Sequence, residues 1–136
     1  MKTILVVEDE PNQCELYLEE LTDKGYQVEC ARSGIDALRR AHSLQPDLVV
    51  LDLNLPGMSG LEFLARIRTE RPELPVIIHT AYSSYRDEFM SWAADGYVLK
   101  SSDLSELKER IKRALCNPFA TSSQTPCLPS ELPAIK

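Results

Sequence analysis

Short apolar runs alternate along this chain with stretches in which apolar residues recur every three or four positions. The runs are Ile4-Leu5-Val6-Val7, Leu48-Val49-Val50-Leu51, Val76-Ile77-Ile78-His79 and Tyr97-Val98-Leu99. Side chains that are apolar on both sides of the pleat predict strands buried on two faces, the pattern of a parallel sheet. Tyr26, Val28 and Cys30 alternate and add a further strand, second in chain order. Between the runs lie helical stripes: Cys14, Tyr17, Leu18 and Leu21; Ala37, Leu38 and Ala41; Leu61, Leu64 and Ile67; Leu104, Leu107, Ile111 and Leu115. Pro11 suits the first turn of a helix that ends near Lys24-Gly25. Ser59-Gly60-Leu61-Glu62 forms a capping box, and Asp103-Leu104-Ser105-Glu106 resembles one. One more helix is predicted from about Ser84 to Ala94, before the turn Asp95-Gly96. The units predict an α/β domain with a doubly wound parallel sheet of five strands and five helices.

The pattern stops after Cys116. From Asn117 to Lys136 the chain holds Pro118, Pro126, Pro129 and Pro133 among Ser and Thr without periodicity. It is expected to be a disordered tail or linker, leaving residues 1–116 as the folded domain. The formal charge of −6 argues against direct binding to nucleic acid or an anionic membrane, since both reward basic surface. No apolar stretch has the length of a membrane span, and nothing resembles a signal peptide. Cys14, Cys30, Cys116 and Cys127 show neither CxxC nor Cys/His ligand spacing, so neither a zinc site nor a disulfide framework is expected. A reducing, cytoplasmic setting is the expectation that follows.

The candidate chemistry collects where the strands end. In a flavodoxin-like strand order, 2-1-3-4-5, the carboxyl ends share one crevice, the usual ligand position of such sheets. Strand one delivers Glu8 and Asp9 to it, strand three Asp52, strand four Thr80 and strand five Lys100. Each has a plainer role when taken singly. Glu8 and Asp9 could favour the following helix dipole, Thr80 could bond its own backbone, and Lys100 could lie in solvent. Together they make three carboxylates, a hydroxyl and an ammonium. Clustered carboxylates repel one another unless a cation intervenes. An all-oxygen set that leaves room for water and phosphate suits Mg²⁺ over Ca²⁺.

These residues resemble the receiver domain of bacterial two-component response regulators. The resemblance rests on Val6-Val7-Glu8-Asp9-Glu10, on Leu51-Asp52-Leu53-Asn54-Leu55-Pro56-Gly57-Met58-Ser59-Gly60, and on Thr80-Ala81, Asp95-Gly96-Tyr97 and Leu99-Lys100. It covers about Met1 to Cys116 and implies a role for each position. Asp52 would accept a phosphoryl group from a histidine kinase or a histidine phosphotransfer protein in a phosphorelay. Asp9, Asp52 and the backbone carbonyl of Asn54 would ligate Mg²⁺, with Glu8 acting through a metal-bound water. Lys100 and Thr80 would meet phosphoryl oxygens. Tyr97 would turn inward as Thr80 moves, changing the face formed by the helix over Ser84–Ala94, the fifth strand and the last helix, where an output partner would dock. Asn54 and Tyr82 would tune the lifetime of the acyl phosphate.

The chain departs from the family pattern in places. Ser101 follows Lys100 where Pro is common, so a trans bond is expected there. Ala93 replaces a usual Gly, and Trp92 a usually small residue. A Mg²⁺-dependent phosphohydrolase with an aspartyl nucleophile would want an acid two positions after Asp52, where Asn54 stands. A binding module that has abandoned phosphorylation would not need the intact acid, Thr and Lys set. His42 and His79 are assigned structural roles.

Overall fold

Each apolar run is a strand, and all five pair in parallel in the order β2-β1-β3-β4-β5. The computed structural model describes residues 1–53, 55, 57–81, 95–100 and 104–116. The strands are β1 (Thr3–Val7), β2 (Gln27–Ala31), β3 (Leu48–Leu51), β4 (Val76–Thr80) and β5 (Gly96–Leu99). Four helices are described: α1 (Pro11–Asp23), α2 (Gly34–Leu44), α3 (Gly60–Glu70) and α4 (Ser105–Cys116). The helix predicted over 84–94, the bond from Lys100 to Ser101 and the tail at 117–136 lie outside the described residues.

Two predicted helix starts are met, at Pro11 and Ser59, while Asp103 lies outside the described residues. Pro11 opens α1, and the Ser33 and Ser59 side chains cap α2 and α3 by accepting from the amides of Asp36 and Glu62. Period-two alternation divides the strand residues between two core layers. Leu5, Val7, Val49, Leu51, Ile78 and Tyr97 pack with Phe63, Leu64 and Ile67 of α3 and Ala37 and Ala41 of α2. On the other face, Ile4, Val6, Val50, Ile77 and Val98 meet Tyr17 and Leu21 of α1 and Leu107 and Ile111 of α4.

Asp95 explains the entry to β5. Its Oδ2 accepts from the Val76 amide at 2.7 Å and pairs with the Arg68 guanidinium of α3, while its own amide donates to the Val76 carbonyl at 2.8 Å. The register Thr80↔Leu99 then carries the chain to Lys100 at the carboxyl edge.

Two expectations are corrected. Leu18 belongs to the predicted stripe of α1 but is 37% exposed, because Cys14, Tyr17 and Leu21 fill the face toward the sheet. The cysteines were expected to form no disulfide, yet Cys14 and Cys30 are bonded to each other across 16 positions of sequence. No local spacing announces that pair. It arises because the crossover through α1 returns β2 beside β1, with Cys30 opposite Val6.

Candidate functional site

The backbone ladder places the acids before any side chain is considered. The Asp52 amide donates to the Val7 carbonyl at 3.0 Å, extending the pairing of β3 with β1 beyond the last strand residue. Glu8 is held from the other side, its amide donating to Ala31 at 2.9 Å. Asp52 and Glu8 therefore emerge side by side at the carboxyl edge, with Asp9 one residue further on.

Gly60 shows how closely the next helix approaches. A Cβ at this position would lie 2.6 Å from the Leu53 Cα and 2.8 Å from the Asp52 carbonyl oxygen, so only glycine lets α3 begin against the backbone that bears Asp52. Gly57, at φ +73°, supplies the left-handed conformation of the intervening turn.

One oxygen from each of Glu8, Asp9 and Asp52 lies within 4.8 Å of the others. Glu8 is 2% exposed and Asp52 7%, whereas Asp9 faces solvent. Lys100 Nζ donates to Glu8 Oε1 at 2.7 Å and to Asp52 Oδ2 at 3.1 Å. Burial pushes the Glu8 carboxyl above its usual range; the Lys100 bond pulls it back only partly, and Asp52 adds repulsion. Burial alone would lower Lys100, but its bonds to Glu8 and Asp52 win and hold it in the charged form. Among the described residues, three carboxylates gather here around the Lys100 ammonium. An all-oxygen group of this size, with one exposed member, fits a hard divalent cation that keeps part of its water.

Thr80 ends β4, fully buried, and the Lys100 amide donates to its carbonyl at 2.7 Å. Tyr97, on the edge strand β5, is 3% exposed and packs inward in the α2–α3 core layer. Its cross-strand partner is Ile78, two residues before Thr80 and thus on the same face. The structure therefore brings together the side chains of Glu8, Asp9, Asp52 and Lys100, ties the Thr80 backbone to that of Lys100, and sets Tyr97 on the sheet face that Thr80 shares. Asn54, Tyr82, Trp92, Ala93 and Ser101 lie outside the described residues.

Two features escaped the sequence reading. His79 has a structural role, as expected, and its partner is Tyr17, whose hydroxyl is hydrogen-bonded to Nδ1 with the rings 5.5 Å apart, edge to face. Burial lowers His79 to about 4, and the Lys100 charge acts in the same direction. Burial also raises Tyr17, as do the charges of Glu8 and Asp52. Both groups stay neutral, which suits a phenol donating to an imidazole. The second feature is the Cys14–Cys30 bond, whose sulfurs lie 3.2 and 3.9 Å from the Glu8 carbonyl oxygen. Neither pairing has a local signal, since 62 and 16 positions separate the partners.

Comparison with known proteins places this geometry in context. Residues 4–112 match the response regulator receiver domain. The response regulator ArlR of Staphylococcus aureus is 40% identical over 117 residues, covering 85% of this chain and 53% of that protein. A probable transcriptional regulatory protein, TcrX of Mycobacterium tuberculosis, is 38% identical over 115 residues, covering 83% of this chain and 49% of that protein. The chain thus spans about half the length of these curated relatives. Among solved structures, the response regulator TrrA of Thermotoga maritima, in complex with Mg²⁺–BeF, is 50% identical with a TM-score of 0.81, covering 85% of this chain and 100% of that one. TrrA in complex with the histidine kinase ThkA gives a TM-score of 0.79 at the same identity, covering 85% of this chain and 99% of that one. Among the described residues, no helix is long and apolar enough to cross a membrane.

Proposed function

Because the chain belongs to the family of response regulator receiver domains, we propose that Asp52 is its phosphoacceptor. A histidine kinase or histidine phosphotransfer protein supplies the phosphoryl group. The observation that carries this reading is the environment of Asp52: a nearly buried carboxylate at the end of β3, 3.1 Å from Lys100 Nζ and clustered with Glu8 and Asp9. A carboxylate fixed in this way is positioned for in-line attack on phosphorus.

The Glu8, Asp9 and Asp52 cluster fits Mg²⁺; Asp9, Asp52 and the Asn54 carbonyl would be its direct ligands, with Glu8 acting through water. When bound, Mg²⁺ neutralises charge on the phosphoryl oxygens. Asp52 Oδ attacks the phosphorus as the bond to the donor nitrogen breaks, giving an acyl phosphate on this side chain. Lys100, already charged and aimed at Asp52, exchanges its carboxylate partner for a phosphoryl oxygen. The Thr80 hydroxyl donates to another, and Tyr97 follows on the same face. The domain is a switch whose own chemistry is limited to taking the phosphoryl group and losing it slowly to water, at a rate tuned by Asn54 and Tyr82. Its output surface is the face formed by residues 84–94, β5 and α4, and residues 117–136 serve as tail or linker. We place it in the cytoplasm, controlling a partner protein or output domain, with no direct binding of nucleic acid by this segment and none of membrane.

Incubation with acetyl phosphate and Mg²⁺ should add one phosphoryl group, visible by intact mass. Asp52→Asn keeps the shape of the side chain and should abolish the adduct. Undiminished labelling of that variant would sink the assignment.

A further inference from the structure

We propose that Cys14 and Cys30 are a reversible oxidation site that sets how tightly the acidic cluster holds its metal. The proposal rests on the reading of Glu8, Asp9 and Asp52 as a Mg²⁺ site. Cys14 lies in the first turn of α1 and Cys30 near the end of β2, with Cα atoms 6.2 Å apart, inside the range a disulfide spans. Between β1 and α1 the connection is only Glu8, Asp9 and Glu10, so the pair straddles the backbone that presents two of the three acids.

The contacts on either side of Glu8 make the coupling specific. Its amide donates to Ala31, the neighbour of Cys30, and the Cys14 amide donates to the Glu10 carbonyl at 3.0 Å. Its carbonyl oxygen is 3.2 Å from Cys14 Sγ. A thiol at that distance has a hydrogen to donate to the carbonyl; a sulfur in an S–S bond has none. The structure holds the disulfide form, which ties α1 to β2 around the connection and has no hydrogen for the Glu8 carbonyl; reduction would supply a donor beside it. Fixing the connection lowers the ordering cost of gathering mutually repelling carboxylates around a cation.

The redox step balances with a hydroperoxide as oxidant. One sulfur, as thiolate, attacks a peroxide oxygen, the O–O bond breaks, and the departing alkoxide or hydroxide takes up the thiol's proton and leaves as alcohol or water, giving a sulfenic acid. The second thiol then displaces the hydroxyl as water, forming the S–S bond. Two thiols lose two electrons and two protons in all. A dithiol reductant reverses the change by exchange. Cys30 is only partly buried and offers the entry point. In a reducing compartment such a disulfide would be transient, as suits a sensor more than a structural staple.

The test uses the full chain with Cys116→Ser and Cys127→Ser, so that only this pair can react. Hydrogen peroxide followed by iodoacetamide should give an unalkylated protein lighter by two hydrogens, and dithiothreitol should restore two alkylatable thiols. Calorimetric titration should show the oxidised form binding Mg²⁺ roughly fivefold more tightly than the reduced form, at the low end of usual couplings between sites. Cys14→Ser and, separately, Cys30→Ser should keep the reduced-form affinity whether or not peroxide is added. Absence of the disulfide after peroxide overturns the pair, and equal affinities in the two forms overturn the coupling. If neither form binds Mg²⁺, the metal site fails and the coupling with it. None of these readouts uses phosphoryl transfer, so a protein that shows them and still takes no phosphoryl group would count against Asp52 alone.

Discussion

Two sets of buried polar groups adjoin one another in this domain, and they are built on opposite principles. On the face of β4 toward α1, His79 and Tyr17 are both neutral and satisfy each other. At the strand ends, Glu8 and Asp52 share the Lys100 ammonium, and Asp9 lies beside them at the exposed side of the cluster. The first arrangement is complete within the chain and contributes to stability. The second gathers three carboxylates at a crevice, where their mutual repulsion is what a divalent cation would relieve. Buried polarity alone does not mark a functional site. Imbalance of charge at a crevice does.

The largest expected effect separates the two by pH. His79 has its folded pKa lowered to about 4 from an ordinary 6.5, so its contribution is fully present above pH 6.5 and is lost as pH falls toward 4. The full loss is on the order of 3 kcal/mol, from the size of the shift. Glu8 has the opposite sign: its raised pKa favours the fold in acid, an advantage lost as pH rises through the folded value. Urea unfolding between pH 7 and 4.5 should show the His79 loss with and without Mg²⁺, whereas saturating Mg²⁺ should suppress the Glu8 contribution. A pH profile that Mg²⁺ leaves wholly unchanged would erase the distinction.

Tyr17→Phe tests the complete pair directly. It leaves buried His79 without its partner and should cost about 1–3 kcal/mol. Tyr17→Phe combined with His79→Leu removes both polar groups and should recover much of that loss, with the acid sensitivity above pH 4 gone as well. Mg²⁺ affinity should change little in either variant. A double variant as unstable as the sum of its parts would mean the pair is held by packing and not by mutual satisfaction.

The two sets also differ in how far the sequence disclosed them. The strands, their order and the gathering of Glu8, Asp9, Asp52 and Lys100 were legible because each acid or base stands at the end of an apolar run. In a parallel sheet all such ends lie on one edge. Gly60 stood in the motif, though its reason, the approach of α3 to the Asp52 carbonyl, needed coordinates. Tyr17–His79, Arg68–Asp95 and Cys14–Cys30 were illegible because their partners come from different elements brought together by the crossovers, and periodicity reports only which face a residue takes. Leu18 shows the limit even there: a stripe at helical spacing was one residue wider than the face that the sheet covers.

Asp9→Ala should act on the incomplete set with two opposite signs. Removing one of three repelling carboxylates should raise the melting temperature of the metal-free protein by roughly 2–5 °C. Loss of even an outer-shell partner typically weakens metal binding about 10–100-fold, and loss of a direct ligand should weaken it at least as much. Thermal melts across a Mg²⁺ titration read both quantities. If the variant were less stable without metal, the cluster would not be strained in the free state.

The smallest effect concerns how a change at the incomplete set travels. Thr80 and Tyr97 share a face of the sheet, with Ile78 as the cross-strand partner of Tyr97; under the proposed switch, a displacement of the Thr80 hydroxyl toward a phosphoryl group would open space for Tyr97. Two packings that differ by a small free energy suffice for a switch. Beryllofluoride with Mg²⁺, as a mimic of the phosphoryl group, should shift the amide resonances of Tyr97 and Val98. Thr80→Ala should leave Mg²⁺ affinity within about twofold, since Thr80 is not among the proposed ligands, but should blunt those shifts. His79, the adjacent residue on the opposite face, should keep its resonance in both proteins, because its bond to Tyr17 gives it no second arrangement of similar energy. Shifts that persist at Tyr97 in the Thr80→Ala protein would mean that the signal leaves the site by another route, through the residues that follow Lys100 or through the turn that carries Asp52.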